Sequence, residues 1–102
     1  MSYFAATTTK EIKRMEALCN AYERQLSELP KGSLQVKKRK GKQYYYLTYR
    51  KDDKIISKYE GKDESAIAEL MEKIKRRKGI EKLIKSIKKE IAIMNKALEA
   101  AK

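Results

Sequence analysis

The chain has 102 residues, which suits one domain with one modest core and leaves too little for two good ones. It is 41% apolar and 39% charged with one proline and four glycines, so a disordered or linker-like chain is excluded, and 26 Lys and Arg against 14 Asp and Glu leave a net charge of +12. There is no histidine, which removes the commonest general base and metal ligand.

Thr8-Thr9-Lys10-Glu11 reads as a capping box. Apolar residues follow at Ile12, Met15, Cys19, Tyr22, Leu26 and Leu29, steps of three and four that make one helical stripe. Pro30 and Gly32 end it, so a helix is predicted over 8–29. Three β-prone runs occupy 33–60. Leu34 and Val36 alternate with polar residues, Gln43 to Arg50 is rich in tyrosine, and Ile55 to Tyr59 is β-branched and aromatic. The links around Lys40-Gly41 and Asp52-Asp53 are hairpin turns, so the runs should form an antiparallel meander.

Asp63 can cap a final helical region, 63–101, with Ile67, Leu70, Met71 and Ile74 at helical spacing. Lys75 to Gly79 interrupts the pattern, so one long helix kinked at Gly79 and two helices with a break at 76–80 stand as equal alternatives. The stripe resumes through Ile80, Ile84, Ile87, Ile91, Met94 and Leu98. The fold class is therefore α+β. A first helix and the C-terminal helical region pack together, and a three-stranded antiparallel sheet lies between them in sequence, all in a single domain. Two apolar stripes in so short a chain also make a homodimer an expectation.

Charge is placed unevenly. Residues 10–29 balance four cations against four carboxylates, whereas 31–50 carry seven cations and no carboxylate, and 73–89 carry nine cations against Glu81. Such patches attract polyanions. Strand alternation sets Tyr45, Leu47 and Tyr49 as the core face of the sheet, with Leu34, Val36, Ile55 and Tyr59. The other face then holds Tyr44, Tyr46, Arg50, Lys37 and Lys58, beside the hairpin tip of Lys38, Arg39, Lys40 and Lys42. Rings among cations suit stacked bases and paired phosphates. A second band on the last helix holds Lys75, Arg76, Arg77 and Lys78. Bland readings stand beside these: tyrosines are good cross-strand partners, edge lysines block aggregation, and helical lysines commonly just solvate.

Catalytic patterns are poor. Cys19 lies on an apolar stripe, Asp52-Asp53 suits a tight turn better than a metal site, and no phosphate-binding loop occurs. A non-enzyme with no cofactor and no metal is expected. One cysteine, no signal-like apolar segment and no membrane-length apolar run fit a cytoplasmic chain without a membrane partner.

Leu29-Pro30-Lys31-Gly32-Ser33 and Lys58-Tyr59-Glu60-Gly61, framing the tyrosine-rich segment, give the chain a family likeness. It resembles an uncharacterised family of short bacterial, archaeal and phage-borne proteins, which implies a helix, a meander and trailing helices but no activity. Residues 36–74 are also similar to the three-stranded-sheet DNA-binding domains of mobile-element integrases, which implies a sheet face in the major groove. The expected function is a nucleic-acid (DNA or RNA) or nucleoprotein-binding accessory protein of a phage or mobile element. The alternative is an anti-CRISPR-like protein-interaction module that inhibits a host defence complex.

Overall fold

The computed structural model describes residues 2–101. In chain order the elements are α1 (Tyr3–Ser27), β1 (Ser33–Arg39), β2 (Lys42–Lys51), β3 (Lys54–Gly61) and α2 (Glu64–Ala100). This is the expected α+β architecture, with the long C-terminal helix packed on the first. Where the sequence predicts a single domain, the contacts gather in two compact units. One takes the chain through Glu28 together with Gly79 onward, and the other is Leu29–Lys78.

The helical unit begins earlier than Thr8. Ser2 is the cap: the Ala5 N–H donates to its Oγ at 3.1 Å, and the Ala6 N–H to its carbonyl oxygen at 3.0 Å. Tyr3 to Ala6 contain no helix breaker, so the helix starts at the first residue able to cap it. The expected capping box at Thr8 does not form. Thr9 lies inside the helix, and its hydroxyl donates back to the Ala5 carbonyl at 2.7 Å. The helix ends at Ser27, not residue 29, where the Glu28 N–H turns back to the Gln25 carbonyl. On its exposed side the Arg14 guanidinium donates to both Glu11 oxygens. That hydrogen bonding holds the Glu11 carboxyl below its ordinary range.

Ile12 and Cys19 of α1 are buried, as are Ile80, Ile84 and Ile87 of α2. Met15, Tyr22 and Leu26, with Ile91, Met94 and Leu98, are half-buried on either side of them. The two stripes thus meet as their spacing predicts. Lys88 and Glu23 join the helices at the rim, 3.2 Å apart and largely exposed, which makes the pair a small stabiliser.

Of the two alternatives at 76–80 the single helix is the one present, and α2 runs through Gly79 without interruption. Lys and Arg are good helix formers, and one internal glycine costs only about 1 kcal/mol, too little to stop a helix held by apolar residues on both sides.

In the sheet unit β2 is the centre, flanked by β1 and β3 in an all-antiparallel order. Each hairpin turns on two residues, both with positive φ: Lys40 (50°) and Gly41 (77°), then Asp52 (49°) and Asp53 (62°). This is the type I′ pattern that matches strand twist. Leu47, Ile67 and Ile74 form the buried centre, where α2 lies against the Leu47 face. Asp63 starts α2, accepting from the Ser65 N–H at 3.1 Å through Oδ1. Upstream, Gly32 (φ 127°) passes so close to β2 that a Cβ there would lie 2.4 Å from the Thr48 carbonyl oxygen. The Leu-Pro-x-Gly-Ser turn therefore needs its glycine.

Ile87→Ala is expected to destabilise the chain by about 2–5 kcal/mol in urea unfolding, because it removes a buried side chain from the helical pair. Gly79→Ala should do the reverse. A Cβ at Gly79 meets nothing within 4 Å, so the substitution should stabilise by about 0.4–1 kcal/mol in the same assay.

Candidate nucleic-acid interface

The register of β2 decides which side chains share a face. Residues opposite one another in an antiparallel ladder lie on the same side. Lys37 faces Tyr44, Gln35 faces Tyr46 and Arg39 faces Lys42, while on the other edge Tyr46 faces Tyr59 and Arg50 faces Ile55. One face therefore carries Lys37, Arg39, Lys42, Tyr44, Tyr46, Arg50 and Tyr59. Among the described residues of the three strands, no Asp or Glu shares it.

Two expected placements are corrected here. Strand alternation predicts Tyr59 and Ile55 on the core face with Leu47, but both lie on the tyrosine face, 50% and 71% exposed. It predicts Lys58 on the tyrosine face, but Lys58 sits opposite Leu47 on the other side and pairs with Glu60 at 3.7 Å. The cause is the Asp52-Asp53 turn. Two loop residues pair Lys51 with Lys54, which puts residues 55, 57 and 59 beside residues 50, 48 and 46. A bulge follows, with Tyr45 opposite Gly61, and Glu60 takes up the extra residue. Tyr59 is thus the functional candidate that the sequence reading missed, although the turn length held the signal. Ile56, opposite Tyr49, takes the half-buried core position instead.

On this face the rings form a cluster around Tyr59. Its centroid is 5.4 Å from that of Tyr46 and 6.3 Å from that of Tyr44, with tilted planes. The Lys37 ammonium lies 4.7 Å from the Tyr46 ring centre, a cation–π contact. Tyr46 is therefore covered by Lys37 and flanked by Tyr59, and Tyr59 offers the more open ring. Towards the first turn Arg39, Lys40, Lys42, Tyr44 and Tyr46 line an open hollow of about 420 Å³. Five of the expected residues are brought together there, with Lys37 beside them and Arg50 farther along the same face.

The other candidates go elsewhere. Lys38 is exposed but alternates to the opposite face, across from Gln43. Lys75 and Lys78 line a groove with Ser33, Leu34, Met71 and Ile74, on the Leu34 side of the sheet, opposite the face of Tyr44, Tyr46 and Tyr59. Arg76 is exposed on α2. Arg77 is half-buried and donates to the Leu29 carbonyl at 2.9 Å, which ties the entry of the sheet unit to its helix. The helical band and the tyrosine face are therefore separate surfaces. Among the described residues, no cluster of three metal-ligating side chains forms. Nor is any helix among them long and apolar enough to cross a membrane.

Lys40 occupies a backbone conformation that costs most side chains about 1–2 kcal/mol. The second turn fills its equivalent position with Asp52, a residue that tolerates it. A lysine in the strained place adds charge to the hollow at the expense of turn stability. Lys40→Asn should therefore stabilise the fold, by up to about 1 kcal/mol in thermal melts, while removing one cation from the hollow.

No curated protein and no solved structure matches the chain. Residues 10–72, more than half of it, match a family described as a domain of unknown function (DUF6788). The matched segment holds both tight turns and the whole tyrosine face, and the chain belongs to the DUF6788 family.

Proposed function

We propose that this protein is a non-enzymatic nucleic-acid-binding protein whose contact surface is the tyrosine face of its sheet. One observation carries the reading: Lys37, Arg39, Lys42 and Arg50 share that face with three tyrosines and no carboxylate, and Lys40 joins them at the turn. Cations at the tip supply phosphate contacts, which provide most of the affinity for a polyanion. The rings beside them supply contacts that a phosphate chain without bases cannot use. Lys75 and Lys78 of α2, which line the groove on the Leu34 side of the sheet, contribute attraction at longer range. Service to a phage or mobile element, as the family resemblance implies, is part of the same proposal.

A protein-interaction role, the anti-CRISPR-like alternative, draws on a different place. The groove lined by Leu34, Met71 and Ile74 with Lys75 and Lys78 at its mouth combines apolar and cationic groups suited to an acidic protein surface.

The two readings separate by salt. Arg39→Gln, Lys40→Gln and Lys42→Gln together should lower the slope of log K against log salt by about 2–3 units, at about 0.7–0.9 per lost phosphate contact. The measurement is fluorescence anisotropy on mixed-sequence nucleic acid across a salt series, with circular dichroism to verify folding. A folded triple variant that binds like the parent at every salt concentration would leave the tip as a solvated turn.

A further inference from the structure

We infer that the tyrosine face selects single-stranded nucleic acid with unpaired bases over duplex; this deepens the reading above and rests on it. The argument is the distribution of chemistry along β2. Charge is densest at one end, where Arg39, Lys40 and Lys42 surround the hollow, and Lys37 lies over Tyr46 among the rings. The middle of the face is aromatic, with Tyr44 and Tyr46 each against Tyr59. From Lys42 to Arg50 the strand extends roughly 27 Å, at about 3.4 Å per residue, and the next cation on β2 beyond the rings is Arg50.

A duplex needs cations spread to meet two phosphate ridges, and it keeps its base faces stacked inside, where a tyrosine ring gains little from them. A single strand is the better match. It can place phosphates at the charged end and lay its bases along the aromatic middle, as sequence-tolerant single-strand binders do. The hollow supports the same choice. At about 420 Å³ it falls within the size range of small-ligand sites and has tyrosine on one side and cations on the other. Those are the two partners of one nucleotide, a base and a phosphate. A duplex can deliver such a unit only by unstacking it, which costs a few kcal/mol.

The rings have distinct parts in this arrangement. Tyr59, half exposed, meets a base directly. Tyr46, covered by Lys37 and packed on Tyr59, is a positioning residue that holds both in place. The Tyr59 hydroxyl is not needed for stacking, so phenylalanine should serve in its place.

The test uses the full chain and four probes at equal phosphate concentration: oligo(dT) and oligo(U) of about 16 nucleotides, a blunt duplex of the same length, and inorganic polyphosphate. Binding is read by competition anisotropy. The expected result is that at least one single strand binds about tenfold or more tighter than both duplex and polyphosphate. Tyr59→Ala should weaken that binding by roughly 5- to 140-fold with an unchanged salt slope, and Tyr59→Phe should restore it. Duplex binding equal to or tighter than single-strand binding overturns the inference and leaves nucleic-acid binding standing. Polyphosphate matching the single strands also overturns it, because the bases then contribute nothing. Binding to none of the probes overturns the underlying reading itself. Should Tyr59→Ala fail to fold, the comparison of the four probes on the parent chain decides alone.

Discussion

β2 is hydrogen-bonded along both edges, and turns of only two residues fix its register with each neighbour. The grouping of side chains on each face of the sheet unit follows from that constraint. A two-residue loop allows no slippage, and a shift of one residue would send each side chain to the opposite face. The Lys40-Gly41 turn places Lys37 and Arg39 beside Tyr44 and Lys42. The Asp52-Asp53 turn places Tyr59 beside Tyr46. Leu47 consequently faces α2 and is buried, which leaves its alternating neighbours Tyr46 and Thr48 on the outer face. The bulge at Glu60 begins beyond the Tyr46–Tyr59 pair, and Tyr44, on its far side, still reaches the Tyr59 ring.

The fold was largely legible because its main signals are periodic. Steps of three and four from Ile12 to Leu26 and from Ile80 to Leu98 specify two helical stripes, and both are the buried or half-buried sides. The turns were legible too, since few residues accept positive φ and Gly41, Asp52 and Asp53 are among them. Helix boundaries were harder. A serine at position 2 and a threonine pair at 8–9 are both good caps, and propensity does not rank them. The first one compatible with a continuous helix captured the end. The Lys-Arg-Arg-Lys-Gly segment left a break as an equal alternative because it lacks apolar residues, but a missing apolar step does not unwind a helix.

The candidate site was legible in part for the same reason. Composition pointed to the tip and to the tyrosines, whereas the face of β3 required combining loop length with alternation. That is how Tyr59 came to be read as core and Lys58 as surface partner. Arg77 illustrates a different limit. Nothing in a run of four cations marks the one that will bond a backbone carbonyl, because Leu29 is remote in sequence and comes near only through the fold.

Separating the two basic surfaces also changes how the charge of +12 acts. In the proposed reading, cations on α2 would raise the local concentration of a polyanion, while those on the tyrosine face would hold it in a defined orientation. The central claim is that this face, not the helical band, is the contact surface. The most direct measurement is a nitrogen–proton correlation spectrum of the full chain during titration with a short oligonucleotide. The account predicts that shifts concentrate at Lys37, Arg39, Lys42, Tyr44, Tyr46 and Tyr59. Shifts confined to residues 75–89 of α2, with the sheet signals unmoved, would contradict it.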